Sequence, residues 1–521
     1  MSRWDVAVMV LYFGCMTWVG LYFARRNRST EEYFLGNRAF PGWAIGLSLV
    51  GTSISSISFL GIPGDSFKTA WLRFLIGITM PLVVIAGAYL FLPFYRRTKT
   101  TSAFEYLEGR FGPSTRLYGA SAFLISQLVR LSMVLYLLSL VAHELTGIDL
   151  WLCVVLSGVF VSFYTVAGGI EAVVWTDVIQ TVILSIGGVL CMIKMMTLLP
   201  GGLGEVFSVA AADGKFQFAE LMPDGTLRPT SWGFSLSEKT ALMVLFVGLT
   251  HFMAEYACNQ NVVQRYCASA SAREARKAMF VCCVASLVIW TFFRFLGTSL
   301  YVFFQHFPNT DTDAMLSGAQ KAEQVLPYFI MHYLPAGVSG LVLAAVLAAA
   351  MSSLDSSLNA ISTVGVVDIY RRHLVKNRDD AHYLRVARAI AIASSVFMIG
   401  GAVVLAYSKT KTLGDTGTAL SAILAGGLLG LYLLGFLTTR GDGRAVAVAI
   451  VCTVLWSAYM TLARYNLLPE GWLPNIDSYY TGIIGHIVMF CVGYLLAMFI
   501  PAKPRDLTNL SIWTQESKPL E

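Results

Sequence analysis

Charged residues are scarce in this sequence. Of its 521 residues, 13% are charged and 56% are hydrophobic, and the mean hydropathy is +0.65. An average soluble domain carries about 25% charged residues. A chain with so little charge cannot cover one soluble globule of this size with polar surface, so the composition predicts that lipid is its main solvent.

Other features that the sequence lacks exclude further classes of protein. Its nine cysteines form no CxxC pair and lie in or beside apolar segments, so we interpret them as small core residues. No HExxH, GxSxG or P-loop motif occurs on a membrane face, which argues against an enzyme and against ATP as the energy source. No A-x-A cleavage site follows the first apolar stretch, so we expect a retained helix there rather than a signal peptide.

Long apolar stretches are what the sequence does contain. A membrane helix needs about 20 mostly apolar residues. This criterion predicts an all-α polytopic membrane protein with about 13 transmembrane helices, over 4–24, 41–62, 70–95, 117–145, 149–167, 172–199, 237–260, 277–305, 335–367, 385–407, 413–436, 444–464 and 477–501.

The basic residues indicate the orientation of these spans. One set of alternate connections, which on this division includes Arg265, holds more than twice as many Lys and Arg residues as the other set. Cytoplasmic loops carry such an excess, so we expect the N-terminus outside, the C-terminus in the cytoplasm and a plasma-membrane location, in bacteria the inner membrane. The net charge of +6 is thereby explained without a nucleic-acid partner. Arg130, Lys194 and Arg294 lie deeper inside spans.

The second span contains a run of poor helix formers. Residues 51–58 read GTSISSIS, and small polar side chains of this kind can hydrogen-bond a broken backbone. A helix interrupted inside the membrane leaves carbonyl oxygens that can bind a cation. An ordinary packing face of small residues is the alternative.

The ninth span carries hydroxyl groups on one helical face. Ala349, Ser352, Ser353 and Ser356 follow the i, i+3, i+4, i+7 spacing. Oxygen ligands that face one point suit a hard cation such as sodium. A packing seam would explain the serines, but it would not explain Asp355 among them, since charged groups inside membranes are costly and usually functional.

Asp177 lies about two turns inside the sixth span, where an unpaired carboxylate would cost several kcal/mol. It could be protonated, pair with a base or bind a cation. No Lys or Arg follows it on its own helix before Lys194, so we expect a cation from another helix or from solution.

Several segments together resemble the sodium:solute symporter family. They are STEEYFLGNR (29–38), SAFEYLEGRFG (102–112), AGGIEAVVWTDVIQ (167–180), NQNVVQRYCASASAREARKA (259–278) and the segment 348–370. The resemblance implies a LeuT-type fold of two inverted five-helix repeats in a single transporter domain. On the spans above, it places an extra helix at 4–24, the first repeat at 41–199, the second at 237–436, further helices at 444–501 and a cytoplasmic tail at 502–521.

The resemblance also implies two sets of sodium ligands and no other cofactor. The primary site would use the carbonyls of Gly51, Ile54 and Ala349 and the hydroxyls of Ser352 and Ser353. A second sodium, bound by some members, would use Asp177, Ser352, Asp355 and Ser356. Asp355 stands where those members have a hydroxyl residue, so this second site would be more anionic here, or Asp355 would be protonated.

The substrate region is closest to that of the bacterial sialic acid carriers. At the position of Arg130 those carriers have an arginine that holds the substrate carboxylate, and Ser53, Ser55 and Ser58 match polar substrate contacts. Arg73 and Gly77 depart from the pattern, since an aromatic residue and a glutamine stand there in the carrier. A structural ion pair of Arg130, with Glu255 as the partner, is the alternative reading. His251 and Glu255, one turn apart, suggest a pair that lines a cavity or relays protons.

These features predict a sodium-coupled symporter that imports a sialic acid or related sugar acid by alternating access. A neutral monosaccharide, an amino acid or a monocarboxylate is the alternative solute. A transporter-like sensor is a remote alternative, because the tail after residue 501 contains no catalytic motif. The expected partners are sodium, the solute and the bilayer, and a monomer is compatible with this mechanism.

Overall fold

The computed structural model describes residues 2–25, 28–54, 57–98, 100–222, 224–407, 426–465, 467–500 and 504–516. Helices dominate these ranges. Ten helical stretches are long and apolar enough to cross a membrane. Three additional features complete the set: a broken helix pair, the shorter apolar helix Leu428–Leu437, and a break inside Leu150–Leu198 that divides it into two spans. The described residues thus contain twelve spans, and Leu428–Leu437 overlaps the end of a thirteenth predicted span.

The first half of the chain contains eleven helices and a small hairpin. The helices are α1 (Arg3–Ala24), α2 (Thr30–Leu35), α3 (Gly42–Ser53), α4 (Ile62–Lys68), α5 (Phe74–Ile78), α6 (Met80–Ala86), α7 (Leu92–Arg97), α8 (Ala103–Phe111), α9 (Pro113–Thr146), α10 (Leu150–Leu198) and α11 (Gly202–Ala212). Strands β1 (Ala219–Leu221) and β2 (Leu227–Pro229) pair antiparallel. Short 3-10 or π turns cover Gly36–Arg38, Ile57–Gly61, Trp71–Arg73 and Gly87–Phe91, so 71–97 forms one span.

The second half repeats this arrangement of long and short helices. The helices are α12 (Ala241–Cys258), α13 (Gln260–Ala268), α14 (Ala272–His306), α15 (Thr310–Ser317), α16 (Val325–Tyr333), α17 (Val338–Val364), α18 (Asp380–Tyr407), α19 (Leu428–Leu437), α20 (Gly443–Arg464) and α21 (Tyr480–Phe499). A π-helical segment, Gly365–Leu374, extends α17, and 3-10 turns cover Ala322–Gln324 and Glu470–Trp472. The predicted span 413–436 begins outside the described residues.

Two helices inside the bundle end at a single extended residue. Helix α3 ends at Ser53, Ile54 is extended, and the halves of this span are bent by 69°. In the second half, α12 ends at Cys258 and Asn259 is extended, with its side chain accepting a hydrogen bond from the Asn261 amide at 3.0 Å. The first break was predicted from the sequence, whereas the second was not.

A third interruption separates the fifth and sixth spans within α10. Gly169 has φ 60° and ψ −158°, a conformation that a residue with a Cβ atom rarely adopts. A Cβ atom at this position would also lie 2.8 Å from the Tyr33 ring. The predicted boundary between residues 167 and 172 is therefore confirmed, and glycine is needed there both for the turn and for the close approach of α2.

Helix α17 lies at the centre of the bundle, where every residue from Val342 to Val364 is buried. A helix that is surrounded by protein on all faces can carry hydroxyls and a carboxylate without exposing them to lipid. Asp5 of α1 anchors the start of α17, because its carboxylate accepts hydrogen bonds from the Gly337 and Gly340 amides, both at 2.8 Å. The residues of the ninth span are thereby placed between α1, α3 and α10.

Capping boxes fix the starts of α2 and α8, which lie in the segments 29–38 and 102–112. Ser29 accepts a hydrogen bond from the Glu32 amide, and Glu32 accepts one from the Ser29 amide, both at 3.1 Å. Ser102 and Glu105 form the same reciprocal pattern at the start of α8. Such boxes satisfy backbone donors that the first helical turn leaves without partners.

The described tail, 504–516, packs against α8 and α19, where the Tyr106 hydroxyl donates to the Leu510 carbonyl at 2.7 Å.

The cysteine interpretation needs a partial correction. Cys153, Cys191, Cys258, Cys267, Cys282 and Cys283 are buried, as expected, but Cys15 and Cys491 are exposed. Those two lie on the outer faces of α1 and α21, where a membrane protein presents apolar side chains to lipid.

Candidate functional site

The break in the second span lies against the hydroxyl face of α17. The Ser352 hydroxyl donates to the Gly51 carbonyl at 2.7 Å and lies 3.3 Å from the Ala349 carbonyl. The Ser353 hydroxyl lies 3.5 Å from the carbonyl of Thr52. Ile54 follows directly as the extended residue at the end of α3. Of the five residues predicted for the primary sodium site, these contacts join Gly51, Ala349 and Ser352. Ser353 follows Ser352 in the chain, and Ile54 follows the last residue of α3.

The chemistry of this cluster suits sodium. The last turn of a helix has carbonyl oxygens without helical donors, and α3 ends at this place because Ile54 leaves the helix. Ser352 and Ser353 are 1% and 3% exposed, so their hydroxyls face protein rather than lipid. Within the described ranges, no group of three or more His, Cys, Asp or Glu side chains could hold a metal ion. The oxygens that these contacts bring together are carbonyl and hydroxyl oxygens.

Asp177 has a cationic partner that the sequence analysis assigned to a loop. The Arg265 Nη2 atom lies 2.9 Å from the Asp177 Oδ2 atom, and the two side chains are 1% and 0% exposed. Arg265 also donates to the Ser48 hydroxyl at 2.8 Å and to the Ser356 hydroxyl at 2.7 Å. Placing Arg265 among the loop charges was wrong, because α13 carries it back into the bundle after the break at Asn259.

The residues predicted for the second sodium are only partly together. The Ser356 hydroxyl lies 3.5 Å from Asp177 Oδ2, with the Arg265 guanidinium bonded to both. Asp355 makes its hydrogen bonds to other groups: its Oδ2 atom accepts from the Tyr164 hydroxyl at 3.0 Å, and its Oδ1 atom accepts from the Ser356 amide at 2.6 Å. The Asp177 Oδ1 atom is buried with no hydrogen-bond partner among the described residues.

A central cavity of about 370 Å³ lies beside the break in the second span. Ser53, Ser58 and Arg130 line it, as predicted, together with His251 and Glu255. Ser55, the third predicted serine, lies outside the described residues. The cavity also contains aromatic walls from Phe74, Phe252, Tyr256 and Trp290.

Arg130 has no ion-pair partner among the residues that the structure describes. The alternative of a structural pair with Glu255 finds no support, since the Glu255 carboxylate accepts from the Asn259 side chain at 2.7 Å and no ion pair joins it to Arg130. His251 and Glu255 both line the cavity, but the structure records no hydrogen bond between them. A permanent cation thus lines the cavity without an ion pair to Glu255, the acidic residue of that lining, so its guanidinium can bind an anionic solute.

Arg294 and Arg73 share one carboxylate at the edge of the same cavity. Asp65 accepts from Arg73 at 2.8 Å and lies 3.4 Å from Arg294. From the sequence, Arg294 was expected inside a span, where a structural and a cavity-facing role were both open. The structure shows both, because Arg294 pairs with Asp65 and lines the central cavity.

Ion pairs join three segments on the opposite side of the membrane bundle. Arg116 at the start of α9 lies 2.7 Å from Glu108 and 2.6 Å from Asp368 of the segment that extends α17. Arg372 of the same segment also pairs with Glu108. Burial alone would raise the pKa of Glu108, but the hydrogen bonds from Arg372 and Arg116 outweigh it and hold that pKa below its usual value.

Comparisons with known proteins identify the family of this chain. The family model described as the sodium:solute symporter family matches residues 33–443. The chain belongs to this family. The sodium/sialic acid symporter SiaT of Proteus mirabilis is 31% identical over 97% of this chain and 97% of its own length. The sodium/sialic acid symporter NanT of Aliivibrio fischeri is 31% identical over 93% of this chain and 91% of its own length.

A solved structure agrees with the fold. The substrate-bound, outward-open state of a sodium-coupled sialic acid symporter has a TM-score of 0.85 and 29% identity, and the match covers 97% of this chain and 99% of that one. The predicted LeuT-type, all-α membrane fold is confirmed, as is the prediction of a multi-pass sodium symporter rather than an enzyme. Sodium is the coupling ion of this symporter.

The sequence analysis missed three residues of the symporter's polar core: Arg265, Ser48 and Thr52. Arg265 lies within the motif 259–278, but its position between two apolar segments made it look like a loop charge. Ser48 donates to Asp177 at 2.6 Å, and the Thr52 hydroxyl lies 3.0 Å from that of Ser356. Their spacing offered a signal, since Ser48 and Thr52 lie one turn apart on α3, just before the break at Ile54.

Proposed function

We propose that the symporter imports a sialic acid or a related sugar acid together with sodium. The observation that carries this proposal is Arg130, a permanent cation that lines the central cavity with no ion-pair partner among the described residues. Its guanidinium can bind a carboxylate with two parallel hydrogen bonds. Ser53 and Ser58 line the same cavity and can hydrogen-bond the hydroxyls of a sugar. The relatives named as sodium/sialic acid symporters support the same substrate class.

The primary sodium ion, in this proposal, binds between the broken second span and α17. Its ligands are the carbonyls of Gly51, Ile54 and Ala349 and the hydroxyls of Ser352 and Ser353. The 2.7 Å contact of Ser352 with Gly51 supports this assignment, because it brings oxygens of both helices to one point. An ion bound there would order the break beside the solute cavity, so sodium and solute should raise each other's affinity equally.

A second sodium ion remains part of the proposal, with a changed geometry. Asp177 Oδ2 and Ser356 are engaged by Arg265, so this ion would have to use the buried Asp177 Oδ1 atom. Ser352 and Asp355 complete the proposed set. Two carboxylates near one guanidinium have one negative charge in excess, which a sodium ion or a proton would balance.

Alternating access would open and close the two ends of the cavity in turn. We propose the two five-helix repeats, at 41–199 and 237–436, as the elements that move relative to each other. One break in each of these ranges, at Ile54 and at Asn259, supports these boundaries. The excess of basic residues supports an N-terminus outside and a C-terminus in the cytoplasm. In that orientation, the pairs of Arg116 with Glu108 and Asp368 would close the cytoplasmic side and break on opening.

Competition of uptake tests the substrate class directly. The purified symporter in proteoliposomes, driven by a sodium gradient, should lose labelled sialic acid uptake in the presence of unlabelled sialic acid or gluconate. Galactose and proline should compete weakly. Arg130→Lys keeps the charge but loses the planar fork, so it should weaken acidic solutes by tenfold or more, on the order of a charge-assisted hydrogen bond. Competition by galactose and not by the acids would show that the solute is a neutral sugar.

A further inference from the structure

The central cavity continues into a second, wider cavity on the side of the β1–β2 hairpin. This second cavity, here called the vestibule, has a volume of about 580 Å³ and is lined by parts of α4, by Arg73 and Arg294, and by residues 318–323. The two cavities share Ser58, Ile62, Arg73 and Arg294 among their lining residues. The two arginines therefore stand where a solute passes from the vestibule to the central cavity.

The charges around the vestibule are unequal. Its lining contains the basic residues Lys68, Arg73, Arg294 and Lys321 but only two acidic ones, Asp65 and Glu323. Clefts lined by one sign of charge attract the opposite ion and raise the rate of its association. The vestibule should therefore attract an anionic solute.

The two arginines at the passage carry part of this excess. Both of their ion pairs, among the described residues, end on Asp65, so two guanidinium groups share one carboxylate. The contact of Arg294 is long, at 3.4 Å, although its side chain is only 8% exposed, and that of Arg73 is 52% exposed. One positive charge is left without a fixed anion, and it can pair with a carboxylate that arrives through the vestibule.

We propose that Arg73 and Arg294 form an anion-capture site at the mouth of the central cavity, which binds the carboxylate of the solute before Arg130 does. The inference rests on the proposed function, because it requires an acidic solute. It adds a role for Arg73, which departs from the pattern of the sialic acid carriers. The capture site contributes to the rate of entry and to selectivity for anions, whereas Arg130 holds the solute during transport.

The variant Arg73→Gln tests the capture site with little risk to the fold. In this variant Asp65 pairs with Arg294 alone. The net charge of the Asp65 cluster becomes zero, and no buried charge loses its partner. The KM for sialic acid at saturating sodium should rise about threefold to tenfold, as expected for one unit charge at a partly solvated contact, and kcat should change less than twofold. Raising the ionic strength with choline chloride should weaken uptake by the wild type more than uptake by the variant.

Three further variants make the result specific. Arg228→Gln on the exposed strand β2 removes the same charge on the same side, outside the vestibule, and should behave as the wild type. Arg73→Lys should restore most of the loss, since the charge and not the fork attracts the solute. Lys321→Gln, at an exposed position, should raise the KM in the same direction by a smaller factor even if Arg73→Gln fails to fold.

The outcomes separate this inference from the proposed function. Unchanged KM and salt dependence in Arg73→Gln and Lys321→Gln, or an equal effect of Arg228→Gln, would overturn the capture site while sialic acid uptake continues. If only neutral sugars compete for uptake, the proposed function fails and the capture site falls with it.

Discussion

The buried pair of Asp177 and Arg265 offers the sharpest test of the polar core. In Arg265→Met, the Asp177 carboxylate stays at 0% exposure and loses its cation, and only the Ser48 hydroxyl at 2.6 Å and the more distant Ser356 remain beside it. Removing one partner of a buried ion pair typically costs about 3–5 kcal/mol of stability. We therefore expect a loss of this size in the free energy of unfolding.

The reverse change should cost less, because Arg265 keeps other partners. In Asp177→Asn the guanidinium still donates to Ser48, to Ser356 and to the Asn261 carbonyl at 2.7 Å, and the amide oxygen can still accept. The expected loss is about 1–3 kcal/mol, the usual cost of a weakened hydrogen bond to a buried charged group. The double variant Asp177→Asn/Arg265→Met should lose clearly less than the sum of the two single changes.

Two measurements are needed on each variant. Unfolding in mixed micelles gives the three free energies of the double-mutant cycle, and sodium-dependent uptake gives the Hill coefficient. A coupling energy below about 0.5 kcal/mol would refute the view that the pair stabilises the fold, because residues in direct contact usually couple by more. A lower Hill coefficient in Asp177→Asn, with near-normal stability, would show instead that Asp177 chiefly binds the second sodium ion.

Three other predictions concern different parts of the symporter. Ser352→Ala removes a proposed sodium ligand, so the sodium concentration for half-maximal uptake should rise about tenfold, and an unchanged sodium dependence would contradict the primary site. Gly169→Ala forces a Cβ atom into a backbone with φ 60° and against Tyr33, so it should destabilise the protein by about 1–3 kcal/mol in thermal unfolding, whereas Gly204→Ala, with nothing within 4 Å, should not. Burial lowers the pKa of Lys215, in the loop after α11, from 10.5 to about 7. The unfolded chain then binds more protons than the folded one between these values, so stability should rise with pH from about 7 to 10 in the wild type and rise less in Lys215→Met.

The hydroxyl face of the ninth span was predictable from the spacing of its residues. Four positions at helical spacing predicted one face of hydroxyls and a carbonyl, and in the structure the Ser352 hydroxyl contacts both the Gly51 carbonyl of the broken helix and the Ala349 carbonyl. The prediction was possible because helical periodicity is a local property. Which helix lies opposite this face is not local, and that knowledge came from the resemblance to a family.

The burial of Arg265 could not be predicted from the sequence pattern. It lies 88 residues from Asp177 along the chain and follows an apolar segment, as loop charges also do. Arg265 points into the core because the chain breaks at Asn259 and α13 packs against α3 and α17. A break of one residue leaves almost no trace in composition, so the sequence could not distinguish a loop charge from a buried one.

The amino-acid sequence alone predicted about thirteen membrane spans and a face of hydroxyl groups on the ninth. For the second span it indicated either an interrupted helix or a packing face of small residues. These properties depend on transfer of apolar side chains into lipid and on helix geometry, which act within one segment. The tertiary structure alone decided which charges are paired: Asp177 with Arg265, Asp65 with two arginines, and Arg130 with no described partner. The physical reason is that an ion pair depends on distances of a few ångströms between helices, and these distances are set by the packing of the whole bundle.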